Sequence, residues 1–220
     1  MEDVKPIRVD VMTREESVAL LVARLASKRK PQDLTPLLDL AARLMDWPLL
    51  LKLAAGVIGA LLERGDTLKR ALDYAKRAYE KRGLTAFDPK DAVGRNDAVA
   101  KCIDATIELL DKDERTRLTE LAVFPEHTDV PLHAVQLLWT LDDLDTQDAV
   151  RQPADHALLD LDLRRSLVRL HNEIRLYLLG AIKDHLALHT RLLDEYGKRC
   201  SNGWATGPMT DTSSSISPIT

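Results

Sequence analysis

The stretch Val168-Arg169-Leu170-His171-Asn172-Glu173-Ile174-Arg175-Leu176-Tyr177-Leu178 changes its period part-way along. Its first residues alternate apolar and polar, as a short strand does. After His171 the apolar side chains fall at helical spacing. Asn172 is a good N-cap type, because its side-chain oxygen accepts from the free N–H groups of a first helical turn. Glu173 adds a negative charge to that turn, where the helix dipole favours it. His171 therefore stands where a strand ends and a helix begins, a place suited to an anion such as a phosphate. The spacing of Ile174, Leu178, Ile182, Leu186 and Leu193 predicts one long helix over residues 172–196.

Immediately upstream, Leu159-Asp160-Leu161-Asp162-Leu163 alternates, Arg164-Arg165-Ser166 is polar, and Leu167 to Leu170 is apolar again. Two short runs around a polar turn read as a β-hairpin. Before them come helical patterns at 96–110, from 111 onward and at 131–140, then a weaker one at 145–156 interrupted by Pro153. Helices followed by a hairpin is the order of a winged-helix domain, here residues 96–200, with 131–140 as the helix that would enter a DNA groove.

The first half of the chain reads as helices throughout. Thr13-Arg14-Glu15-Glu16 is a capping box, and a helix follows it. A second helix covers 34–45. Pro48 opens a third, 49–63, in the first turn, where no N–H is needed. That helix is nearly all apolar, and its Ala54, Ala55, Gly56 and Gly59 suit close packing. A fourth covers 68–81 and ends at Gly83. The expected fold is mainly α: a four-helix helical domain at 13–83, a linker at 84–95, then the winged-helix domain with its short hairpin and long C-terminal helix. Residues 1–12 hold a strand pattern at 7–11 without a partner, and the Ser/Thr-rich tail at 201–220 is expected to be disordered.

A formal net charge of −4 argues against nucleic acid as the main partner. The 131–140 segment has no Lys or Arg, and Asp142, Asp143 and Asp145 follow it; only Arg164 and Arg165 in the wing turn favour DNA. Cys102 and Cys200 have no metal spacing and read as reduced thiols of a cytoplasmic protein. No signal segment and no membrane-spanning run is apparent. His185 and His189 lie one helical turn apart, but Leu186 stands where a zinc-protease glutamate would be, so no metal is expected. There is no phosphate-cradling G-x-x-x-x-G-K-[ST] loop and no G-x-S-x-G, so no enzyme activity is expected of this chain alone.

Trp47-Pro48-Leu49-Leu50-Leu51 with Lys52-Leu53-Ala54-Ala55-Gly56 resembles the Gly-x-Pro-Leu segment of NB-ARC signal-transduction ATPases. Leu170-His171-Asn172 resembles their Met-His-Asp motif. Gly83-Leu84-Thr85-Ala86-Phe87-Asp88, Leu121-Ala122-Val123-Phe124-Pro125-Glu126 and Gly203-Trp204-Ala205-Thr206-Gly207-Pro208 are also similar to microbial members. The resemblance spans roughly residues 7–211. It implies the family's helical and winged-helix domains without the P-loop domain, residues 7–11 being the last strand of the missing sheet. It also implies that Pro48 touches the adenine side of bound ADP or ATP and His171 the β-phosphate of ADP. Two residues depart from the pattern. Asn172 replaces the family's Asp, and the glycine of Gly-x-Pro is absent, with Met45 and Asp46 before Trp47. The expected role is that of a regulatory fragment, from a truncated or split reading frame. It would help clamp ADP, with a P-loop domain and protein effectors as partners and no nucleotide held tightly by the fragment itself. The alternatives are a winged-helix DNA-binding regulator and a helical protein–protein adaptor.

Overall fold

The computed structural model describes residues 11–25, 33–82 and 92–199. The strand expected at 7–11, save Val11, the basic break at 27–32, Gly83 with the linker residues 84–91, and the 201–220 tail lie outside the described residues.

Among the described residues the chain forms α1 (Arg14–Arg24), α2 (Thr35–Arg43), α3 (Pro48–Glu63), α4 (Leu68–Lys81), α5 (Ala92–Ile107) and α6 (Lys112–Glu120). A 3-10 turn follows at Leu121–Val123. Then come β1 (Val130–Pro131), α7 (Leu132–Trp139), α8 (Asp143–Asp155), β2 (Asp160–Asp162), β3 (Leu167–Arg169), α9 (Asn172–Ala181) and α10 (His185–Arg199). The described residues are mainly helical, with one small antiparallel sheet among them, ordered β1-β3-β2.

Local chemistry explains most helix starts. Thr13 and Asp111 each head a full capping box, closed by Glu16 and Glu114. Thr67 caps α4 through the Arg70 N–H and Asp142 caps α8 through that of Asp145. Pro48 occupies the first turn of α3, as its missing N–H allows.

α3 is the centre of the packing. Twelve of its 16 residues are buried, and α1, α4, α5 and α8 all lie against it. A helix apolar on every side is stable only when surrounded. Its fully buried leucines, such as Leu50, Leu51 and Leu53, contribute about 1.5–3 kcal/mol each. The buried apolar cluster continues without interruption from α1 to α10. α5 begins at Ala92, inside the stretch read as linker, and it touches α3, α4 and α9.

The closest approach in this packing is at Gly56. A Cβ added there would sit 2.5 Å from the backbone carbonyl carbon and oxygen of His156 and 3.0 Å from Cβ of Ala157. The apposed backbone is the end of α8. Ala157 takes a left-handed conformation (φ 59). Its N–H donates to Ala154 O at 2.9 Å, and the Leu158 N–H donates to Pro153 O at 2.9 Å. That pair of bonds is a Schellman motif, which satisfies the last carbonyls of a helix. Pro153 thus sits in the last turn of α8 and does not interrupt it.

The hairpin is where the alternation placed it, with Leu161 opposite Val168. The third strand, β1, is too short to show a period, and it pairs through Val130 opposite Val168. The single long helix expected over 172–196 is two helices. Ile182 ends α9 in an extended conformation, and Asp184 accepts from the Ala187 N–H at 2.8 Å to start α10. The break changes which face is buried. Leu188 goes inward, while Leu186, expected on the apolar face, is 76% exposed.

Gly56→Ala is expected to lower unfolding stability by about 1–3 kcal/mol through overpacking, measured by urea denaturation. Gly180→Ala, in a helix with open space around it, is expected to be neutral or slightly stabilising.

Candidate functional site

His171 is the N-cap of α9; Asn172, expected in that role, is the first helical residue. Nδ1 of His171 accepts from the Glu173 N–H at 3.3 Å. The imidazole can do this because it has its own acceptor nitrogen, and Asn172 is displaced one position into the helix. The Oδ1 of Asn172 is buried and receives no hydrogen bond from the described residues. An aspartate at this place would bury a charge, which costs far more than burying an amide.

The cap fixes the state of the ring. An imidazole nitrogen that accepts a hydrogen bond carries no proton, so a neutral His171 holds its proton on Nε2. Partial burial lowers its pKa from the ordinary 6.5, and the nearby Lys52 charge lowers it further; Glu173 and Asp160 oppose the shift, and His127 adds to it. His171 is an exposed residue and is not part of the buried apolar cluster. At neutral pH the ring is therefore neutral, with Nε2–H as its donor.

On α3, Lys52 is the residue whose charge acts on this ring. Pro48, Lys52 and Gly56 are spaced by four and form one stripe along the helix. Gly56 lies on the backbone at His156 and Ala157. One turn earlier, Lys52 Nζ lies 2.5 Å from Asp160 Oδ1 at the start of β2. β2 pairs with β3 through Asp160 opposite Arg169, and His171 follows two residues later. Gly56 and Lys52 thus lie along the 156–160 segment, and Pro48 is one turn before Lys52 on α3. Lys52 was missed in reading the sequence, although a lone cation on an apolar helix was a legible signal.

The turn before Pro48 is distinctive. Met45 and Asp46 both have positive φ, 54 and 53. Asp46 occupies the place of the absent Gly-x-Pro glycine, and it adopts a conformation in which glycine is most at ease. Asp is among the few other residue types that tolerate it. Here Asp46 is held from two sides: Arg14 pairs with its carboxylate at 2.7 Å, and the Met12 N–H donates to its carbonyl at 2.9 Å.

Other sequence candidates fall elsewhere. His185 and His189 lie on α10, which packs on α7. Among the described residues no group of three His, Cys, Asp or Glu side chains is placed to hold a metal. Cys102 is a buried free thiol whose pKa burial pushes up to about 12. Arg164 and Arg165 are exposed in the turn between β2 and β3. No described helix is long and apolar enough to cross a membrane. Neither a scan against protein-family models nor a search of curated proteins gives a match to the chain.

The depressed pKa has a definite sign. The unfolded chain takes up the proton more readily than the folded one, so stability rises with pH across this window. The His171 contribution is complete above about 6.5, the ordinary value, and is lost as pH falls through the folded value. A proton-NMR titration is expected to place the His171 midpoint below 6.5. His171→Gln should remove that part of the stability loss between about pH 7 and pH 5. A midpoint at or above the ordinary value would contradict this environment.

Proposed function

We propose that this chain is the helical and winged-helix regulatory part of an NB-ARC-type signalling ATPase, and that it closes on ADP held by a P-loop nucleotide-binding domain. In this reading α1–α4 form the helical domain. α6, β1, α7, α8 and the β2–β3 hairpin form the winged helix, with the wing at Arg164 and Arg165. Pro48 meets the adenine side of the nucleotide, and His171 donates from Nε2 to a β-phosphate oxygen. The partner domain and its protein effectors act in the cytoplasm.

The observation that carries this reading is that His171 is exposed and has its Nδ1 taken up by the Glu173 N–H, which leaves Nε2–H as the donor of the neutral ring. A hydrogen bond from a neutral imidazole to a phosphate oxygen is charge-assisted and of the stronger kind. The left-handed Asp46 ahead of Trp47 and Pro48 adds support, because it is compatible with a family pattern that has glycine there. The chain has no phosphate-cradling loop, so hydrolysis belongs to the partner domain.

In this winged-helix reading the DNA-facing helix would be α8, the helix directly before the hairpin, in place of residues 131–140. α8 carries Asp143, Asp145, Asp148 and Asp155 against a single Arg151. A helix with this excess of carboxylates over cations has little to offer a phosphate backbone, which disfavours the DNA-binding alternative.

A nucleotide-binding domain joined ahead of residue 1 supplies the test. His171→Ala in that protein is expected to raise the ADP dissociation rate about tenfold or more, the scale of one lost hydrogen bond to a charged group. The unjoined 220-residue chain is expected to show only weak ADP binding by calorimetry. An unchanged ADP off-rate in the joined His171→Ala protein would remove His171 from the site.

A further inference from the structure

Lys52 is the only charged residue of α3 before Glu63. A cation on so apolar a helix must stay partly in water or find an anion. Lys52 does both: its side chain is 27% exposed, and its Nζ lies 2.5 Å from Asp160 Oδ1. Asp160 stands opposite Arg169 in the sheet, yet Arg169 pairs with Asp129 at 2.6 Å. The ion pair of Asp160 is therefore the one that reaches across to α3. It is the polar counterpart of the Gly56 contact one turn away, and it lies beside the chain's entry into His171.

We propose that Lys52 is an anion ligand held in reserve by Asp160, and that a phosphate-class oxyanion arriving at His171 takes Lys52 over from that carboxylate. This rests on the anion-clamp reading of His171. No proton moves in the exchange: one ion pair breaks and another forms. Asp160 is 57% exposed, and an ion pair so open to water shifts an equilibrium by a few-fold at most. A polyvalent phosphate attracts the ammonium more strongly than a single carboxylate does at the same distance. The flexible four-carbon stem of Lys52 and its three rotatable donors let the ammonium change partner without moving α3. Released from Lys52, Asp160 and the start of β2 lose their polar tie to α3, while the Gly56 contact remains as the pivot. Anion arrival would thereby be transmitted from the site to the sheet.

The experiment uses the purified 220-residue chain and inorganic pyrophosphate at fixed ionic strength. Binding is followed through the amide signals of Asn172 and Glu173. Asp160→Asn is expected to bind pyrophosphate about fivefold tighter than the unaltered chain, since the competing carboxylate charge is gone. Lys52→Met is expected to abolish binding, Lys52→Arg to retain it, and Arg165→Ala on the wing turn to leave it unchanged. Circular dichroism melts confirm that each variant is folded. Absence of detectable binding by Asp160→Asn, equal affinity of Asp160→Asn and the unaltered chain, or binding by Lys52→Met would each overturn the exchange. His171→Gln separates this proposal from the reading beneath it. Affinity that falls in His171→Gln but ignores Asp160→Asn removes the exchange alone. Affinity that follows Lys52 and Asp160 while ignoring His171→Gln keeps the exchange and removes the His171 clamp.

Discussion

A helix with apolar side chains on every face cannot lie on a surface, and α3 is such a helix. α1, α4, α5 and α8 all pack on it, and the buried cluster that begins there continues to α10. Two features of its sequence decide how the sheet and α8 are joined to it. Gly56 lets the end of α8 come to backbone distance, and Lys52 supplies one charge at the edge of the apolar surface. A Cβ at the first position or an apolar side chain at the second would leave a folded helix but a different junction.

Much of this was legible from residue types and spacing. Helix α4 was found to the residue, because a clean apolar face and a following Gly agree; the Thr67 cap at its start went unread. The capping box at Thr13 and the hairpin were likewise written in local chemistry. The misreadings have two physical causes: a tertiary contact in one case, and in two others a local side-chain cap that hydrophobic periodicity does not show. Two-residue β1 exists only because β3 offers it an edge. The break between α9 and α10 depends on Asp184 competing for the helix N–H groups, a competition that periodicity cannot show. The cap moved from Asn172 to His171 because imidazole can accept as well as donate, a role that propensity rankings understate.

The site was legible only in part. His171 and Pro48 were singled out; what the structure adds is the register of Gly56 on residues 156–157 and of Lys52 on Asp160, which brings the Lys52 charge within reach of the His171 ring. Lys52 itself was passed over because it lay inside an apolar run that reads as core. The chemistry follows from the environment: a histidine whose Nδ1 is occupied and whose charged form is disfavoured is a neutral donor, suited to an acceptor oxygen. The positive φ of Asp46 shows how a missing glycine can be replaced when an arginine and a neighbouring N–H hold the residue in place.

The central claim is that the first turn of α3 and His171 stand on the same side of the molecule. A nitroxide attached to Pro48→Cys tests it directly, in a chain carrying Cys200→Ser; buried Cys102 should not react with the label. The account requires strong paramagnetic broadening of the His171 ring protons, with those of His185 and His189 on α10 much less affected. A sharp His171 signal beside a broadened His185 or His189 would contradict it.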